Sequence, residues 1–509
     1  MRLIDCGLSA AKRFGHPALG EMFRQMRRGW LIFVLAAAPV FGGSRPEVLV
    51  WWPEADLRAV GLLKQIAADT LLTPLESIRT AEFASRCRET GLAVIGTVRG
   101  GVALPGAIER AGHLQLRGVA IEEPEDAGQM ATLARLNPGL RVMAFLKTGQ
   151  MAWDVSPAEA VVRGGNWPGI HAVDVGSAGA SEKPWVDANA YLYAYLRGMY
   201  PNRPALAGYR PDKDSGVAPE RGVPHSSVEM GIAEARAAGG NWIISLPDLY
   251  REGLLKGDAR ATAAWNRLAR TLDLLAAHQK TLDGATAATT AIIGRDWDQA
   301  YELLNMSYRN NLFPKVIHED RIGALAGSGL RVVAAASVSP KRDGQSHLLG
   351  FAKAGGTLVL APIETAGERW WSPAAPAKPP AEKDQHWQGL GAGSVLVNLD
   401  PVIDPGEFAL DLIDALRARH RDLRIWNAPA VLGMVHHIDR KRSLLTLINY
   451  GGAHRDIVMV RVAGTYGKAV LRRPGLPPAA MEAKSREGAT DLTFQVLEGV
   501  ALIELERGG

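Results

Sequence analysis

A chain of 509 residues is long enough for roughly three domains. Apolar residues make up 47% of it and charged residues 22%, values of packed globular domains that exclude wholesale disorder. Lys and Arg number 58 against 53 Asp and Glu, and the excess of +5 is spread along the chain, so no nucleic-acid partner is expected. Two widely separated cysteines, Cys6 and Cys87, rule out a disulfide framework and a cysteine zinc site; no cofactor and no metal is expected.

In chain order, the first feature is an export signal. Arg27 and Arg28 precede an apolar run over 30–40, and Gly42, Gly43 and Ser44 form a small-residue exit. The apolar run is short for a comfortable span, so the leader over 1–44 reads as a cleaved signal, with Met22 or Met26 as the natural start. An uncleaved anchor is the competing reading. Either way the folded part is expected outside the cytoplasm, periplasmic or secreted, with no stable membrane insertion after cleavage.

Over 45–280 short apolar runs alternate with helical periodicity. Strands are expected at 48–52, 70–73, 92–98, 118–122, 142–147, 170–174, 205–209 and 242–246, and helices at 57–68, 81–90, 129–136, 189–200 and 227–238. Eight βα units in this length predict a (β/α)8 TIM barrel; no Gly-rich dinucleotide motif follows the first strand to favour an open doubly wound sheet.

Barrel chemistry lies at the C-terminal strand ends. Those ends carry Trp51 and Trp52, then Glu76, Arg99, Glu122 and Glu123, Lys147, Asp174, Tyr209 and Arg210, and Asp248. In Gly118-Val119-Ala120-Ile121-Glu122 the β-branched residues should face the helices, which points Gly118, Ala120 and Glu122 at the barrel axis. Glu122 is the expected acid/base carboxylate, and Asp174 its expected partner across a glycosidic bond. Trp51, Trp52, Arg99, Glu123, Lys147, Tyr209, Arg210 and Asp248 are the expected saccharide contacts, one of the two indoles serving as a sugar platform. The competing account makes Glu122 and Glu123 loop carboxylates paired with Arg99, Lys147 or Arg210.

A second α/β unit is expected over 285–423. Its strands fall at 290–294, 315–318, 330–335, 355–362 and 391–400, its helices at 298–310, 346–354 and 408–419, with a low-complexity loop over 372–384. From 424 to 509 alternating strands predict a small antiparallel β-sandwich. His436 and His437 read as turn residues at its entrance.

The order of these parts resembles the family 42 β-galactosidases and related multidomain glycoside hydrolases. The resemblance is carried by Phe-Pro-Lys-Val-Ile-His-Glu-Asp at 313–320, Phe-Ala-Lys-Ala-Gly-Gly-Thr-Leu-Val at 351–359, Leu-Ile-Asn-Tyr at 447–450 and Val-Leu-Glu-Gly-Val-Ala-Leu-Ile-Glu at 496–504. It implies that the middle domain is glutamine-amidotransferase-like, lacks the amidotransferase nucleophile and mediates homo-oligomer contacts. It also implies an Asn-Glu acid/base on strand four and a Glu nucleophile on strand seven. Here Ile121 precedes Glu122, and strand seven runs into Gly208-Tyr209-Arg210-Pro211 without a Glu. Two functions follow: an exported glycoside hydrolase acting on oligo- or polysaccharide, or a non-catalytic glycan-binding or assembly protein on a hydrolase scaffold.

Overall fold

The computed structural model describes residues 45–101, 104–171, 185–208, 223–325, 327–336, 338, 340–361, 370–371, 375–376, 385–398, 404–416, 420–451 and 457–508. The leader therefore lies outside the described residues, and so do Asp174, Tyr209 and Arg210. No described helix is long and apolar enough to cross a membrane.

Eight parallel strands close into a barrel. They are β1 (Leu49–Trp51), β2 (Thr70–Pro74), β3 (Ala93–Arg99), β4 (Gly118–Glu122), β5 (Arg141–Lys147), β6 (Glu159–Arg163), β9 (Leu206–Gly208) and β10 (Asn241–Ser245). Between β6 and β9 a small antiparallel hairpin, β7 (Gly169–His171) with β8 (Trp185–Asp187), stands apart from the barrel. The alternation of side chains sorts two apolar layers. Leu49, Leu72, Ile95, Ala120, Met143, Phe145, Val161, Leu206 and Ile243 fill the barrel interior, while Val50, Val94, Val119, Ile121 and Ile244 face the helices.

This corrects one element. The sixth barrel strand is Glu159–Arg163, not the run at 170–174, which contributes to the hairpin instead. The true strand is short and begins two residues after the Ser156–Pro157 bond. The segment after it has the apolar density of a strand but finds an antiparallel partner outside the barrel.

The helices of the outer layer start where the sequence supplies caps. Asp56 accepts from the Arg58 N–H ahead of α1 (Leu57–Gln65), and Asp126 caps α4 (Ala127–Leu136) through two backbone N–H groups. Between them lie α2 (Ala81–Glu89) and α3 (Leu104–His113), the latter missed because Pro105 and Gly106 sit in its first turn. Helices α5 (Ala190–Met199), α6 (Ser226–Ala237), α7 (Asp248–Lys256) and α8 (Ala259–Ala277) complete the ring.

The N-terminal end of the barrel carries a network of ion pairs. Arg141 donates to Glu159 at 2.9 and 2.7 Å and to Glu47 at 2.6 Å. Thr70 also donates to the Glu47 carboxylate, whose pKa lies below its ordinary value through these bonds, in opposition to burial. Arg141→Ala would leave two half-buried carboxylates facing one another. We expect it to lower stability by about 3 kcal/mol, read as a drop in thermal midpoint.

The second sheet has seven strands in the order β12 (Lys315–His318), β11 (Thr290–Gly294), β13 (Val332–Ala336), β14 (Thr357–Ala361), β17 (Gly393–Asn398), β16 (Gln385–Leu390) and β15 (Ala375–Pro376). It is parallel from β12 to β17, and β16 and β15 run antiparallel. Helices α9 (Trp297–Arg309), α10 (Arg342–Lys353) and α11 (Pro405–Leu416) accompany it. The C-terminal part is two antiparallel sheets. One has the order β18 (Leu423–Trp426), β21 (Val458–Ala463), β25 (Ala489–Phe494), β24 (Lys484–Arg486). The other runs β19 (Val431–His437), β20 (Arg442–Asn449), β26 (Val500–Glu506), β22 (Lys468–Arg472), β23 (Ala479–Met481). The chain is thus a TIM barrel followed by an α/β domain and antiparallel sheets.

His436 and His437 are corrected with it: both belong to strand β19, not to a turn. Burial pushes the His436 imidazole down to about 4, so it stays neutral inside the protein.

Candidate active site

At the C-terminal face of the barrel a groove of 810 Å³ opens between the ends of β1 to β4 and helix α3. This is the size of a small-ligand site. Trp51, Thr97, Arg99 and Glu122 come from the strands, Pro74, Leu75 and Glu76 from the end of β2 and the turn after it, and Arg110 from α3.

Glu122 is the deepest acid of the groove, with 6% of its surface exposed. It ends β4 on the side of Ala120, which lies in the barrel interior, and opposite Ile121, which faces the helices. The backbone around it is held tightly. Its carbonyl accepts the Gly100 N–H at 2.6 Å, and Glu123 turns the chain with a left-handed φ of 52°. Non-glycine residues in that region mark positions constrained by their surroundings. Gly100 makes the clamp possible, because a Cβ there would overlap the Glu123 carbonyl. We expect Gly100→Ala to displace the end of β4 and to lower any activity of the groove at least tenfold, while a thermal melt still shows a cooperative fold.

The two adjacent indoles separate. Trp51 lines the groove and packs on the barrel interior layer, whereas Trp52 is fully buried against the helices. Trp51 is thus available as a platform and Trp52 is core. Arg99 is in register with Glu122 across the β3–β4 pair and exposed in the groove.

Other rim residues stand outside the groove. Glu123 lies 3.7 Å from Lys147 and 3.6 Å from Arg163, the residue that ends the true sixth strand. Asp248 is the first residue of α7 and pairs at 2.7 Å with Arg251, which also holds Glu54 at 3.0 Å. Glu123, Lys147 and Asp248 thus answer to neighbouring charges rather than to the groove. Two groove residues carried no role in the sequence: Glu76, legible only as a rim acid after β2, and Arg110, hidden in the unrecognised helix α3. Among the described residues, no group of three or more His, Cys, Asp or Glu is arranged to hold a metal. Burial raises the Cys87 thiol to about 11, which makes it an inert core residue.

The chain matches no protein-family model and no curated protein. Solved structures do match. The α-L-fucosidase isoenzyme 2 from Paenibacillus thiaminolyticus aligns with a TM-score of 0.58 at 10% identity, over 91% of this chain and 100% of that one. The β-galactosidase from Bacillus circulans sp. alkalophilus aligns at 0.47 and 10% identity over 88% and 99%. The exo-β-1,4-mannosidase Op5Man5 from Opitutaceae bacterium strain TAV5 aligns at 0.45 and 10% identity over 74% and 96%.

What is shared is the fold. At this identity the likeness to the fucosidase concerns architecture alone, and the two weaker likenesses add nothing to it. The fucosidase alignment runs through nearly the whole chain, so the likeness extends beyond the barrel, which by itself hosts many chemistries.

Proposed function

We propose that the protein is an exported glycoside hydrolase that cleaves oligo- or polysaccharide in the groove at the C-terminal face of the barrel. The observation that carries the reading is Glu122: a carboxylate buried at the end of the fourth strand, on the floor of a sugar-sized groove walled by Trp51. Such a group protonates a leaving glycosidic oxygen, and the indole face stacks on the sugar ring that presents it.

Hydrolysis needs a second carboxylate. Glu76 lines the same groove. It follows β2, and β3 alone separates β2 from β4. Two strand spacings put the backbones roughly 10 Å apart. Backbones at that spacing leave room for the inverting arrangement, in which a water molecule stands between sugar and base and the carboxyl groups lie about 6.5–9.5 Å apart. Asp174, between β7 and β8 in the chain, is the competing second carboxylate. Loss of turnover in Glu76→Gln but not in Asp174→Asn assigns the base to Glu76, and the reverse assigns it to Asp174.

The test is a screen of the mature protein against aryl glycosides and natural oligosaccharides, followed by proton NMR of the first-formed anomer. The reading expects cleavage with inverted configuration. A folded protein that cleaves none of them contradicts it. The second reading, a glycan-binding protein without turnover, is favoured by one observation: among the described residues β9, the seventh barrel strand, carries no carboxylate. It expects binding that survives Glu122→Gln. Export is tested by the amino-terminal sequence of the mature protein, expected to begin at Arg45.

A further inference from the structure

We infer that the groove takes a saccharide carrying an anionic substituent, a carboxylate or a sulfate, against Arg99 and Arg110. The inference rests on the reading of that groove as the saccharide site and adds the chemical class of its occupant.

Many arginines of this protein end on a carboxylate. Arg58, Arg141, Arg251, Arg461 and Arg472 each end on a carboxylate at 3.0 Å or less. Even at the rim, Lys147 and Arg163 share Glu123. Others, such as Arg197, Arg203, Arg321 and Arg421, end on backbone carbonyls; the groove holds one guanidinium of that second kind beside one with neither partner. Arg99 is exposed there and makes no ion pair or hydrogen bond among the described residues. Arg110 donates to the Ile78 carbonyl at 3.0 Å, a partner without a full charge. Two guanidiniums therefore line one groove with no carboxylate of the described residues within salt-bridge distance of either. A planar guanidinium fork matches the paired oxygens of a carboxylate or sulfate, and the contact strengthens as water leaves.

The groove also has a direction. Trp51, Thr97 and Glu122 line its axial end. Leu75, Val98 and Ala107, which pack with the helix-facing core, line the outer end together with Gly106 and Arg110. Gly106 has open space above it, so that wall is low. A sugar at Glu122 would thus direct a charged substituent, or the next residue of an acidic chain, past Arg99 toward Arg110. The charge then sits against the two guanidiniums, toward the outer end of the groove.

The experiment uses the full chain with Glu122→Gln, so that nothing is turned over. Calorimetric titration compares neutral galacto- and xylo-oligosaccharides with oligogalacturonates and with sulfated galacto-oligosaccharides of equal length. One anionic set should bind at least tenfold tighter than the neutral sets at low salt, and the gap should narrow as salt is raised. Arg99→Ala in the same background should abolish the preference, Arg99→Lys should restore part of it, and Arg110→Gln should weaken it. Which anionic set binds separates carboxylate from sulfate. Tighter or equal binding of neutral sugars overturns the inference; so does a preference that survives Arg99→Ala, and so does a folded protein that binds none of the sets. A wild-type protein that binds acidic glycans through Arg99 but cleaves nothing leaves the inference standing and removes only the hydrolytic reading.

Discussion

Replacing Glu122 with Gln should lower glycoside turnover by about a thousandfold while leaving the thermal midpoint within a few degrees of wild type. The first half follows from geometry. Glu122 is the buried acid of the groove, and its backbone is fixed by the Gly100 N–H and by the left-handed turn at Glu123. An amide of the same shape keeps the packing but cannot deliver a proton. The second half follows from where the side chain points. It faces the groove rather than the helix layer, so the substitution opens no cavity in the core. Steady-state rates on the best substrate of the screen, with melting curves of both proteins, read the two halves separately. A loss of activity matched by a loss of fold would reassign Glu122 to structure.

Glu234→Ala should have the largest effect on stability, about 3–5 kcal/mol, because it strands several buried donors at the contact between barrel and C-terminal sheets. Glu234 lies on α6 with no exposed surface. Its carboxylate accepts the Asn189 backbone N–H at 2.8 Å, the Asn189 side-chain amide at 2.7 Å and the Tyr450 hydroxyl at 2.9 Å. Asn189 in turn exchanges two hydrogen bonds with the backbone of Asn166, beyond the end of β6. One acid therefore ties the C-terminal sheets to two segments of the barrel.

Burial raises the Glu234 carboxyl from 4.5 to about 7, against the opposing pull of its hydrogen bonds and with nearby Asp187 adding to the rise. The folded state then holds a proton that the unfolded chain releases above about pH 4.5. Its contribution is complete below that pH and is lost as pH climbs through about 7, a difference of roughly 3 kcal/mol. The thermal midpoint of wild type should accordingly fall between pH 5 and pH 8 more steeply than that of Glu234→Gln. Parallel pH profiles would show that Glu234 does not titrate in this range.

The sequence was most legible where a single layer decides a residue's surroundings. Val119 and Ile121 alternate with Gly118, Ala120 and Glu122, and that alternation alone put Glu122 in the barrel mouth. The strands 290–294 and 315–318 have their expected limits for the same reason: each is a short apolar run between turn residues. Legibility failed where a second layer intervenes. Helix α6 has the polar positions of a solvated helix, yet Glu229, Glu234 and Arg236 are buried because the five-stranded sheet covers its outer face. Glu229 there is held by Arg267 at 2.7 Å and by Thr271 at 2.9 Å, both from α8. No pattern local to α6 announces such a cover.

The sixth strand failed differently. Two apolar runs competed for one place in the barrel, and closure chose the earlier, whose Val161 fills the interior beside Phe145. With that choice the rim gains Arg163 and loses the strand end on which Asp174 was expected. Glu76 was visible as an acid after β2, but the groove that joins it to Glu122 depends on α3, whose opening Leu-Pro-Gly disguised it as a loop. Apolar periodicity thus placed Glu122 in the barrel mouth and left the presence of Glu76 in the same groove to the three-dimensional arrangement.

The most direct measurement is a crystal structure of the Glu122→Gln protein with an oligosaccharide from the binding screen. The account predicts sugar density in the groove, one ring stacked on Trp51 and a glycosidic oxygen within hydrogen-bond distance of the side chain at position 122. An oligosaccharide bound elsewhere, with the groove holding only solvent, would contradict it.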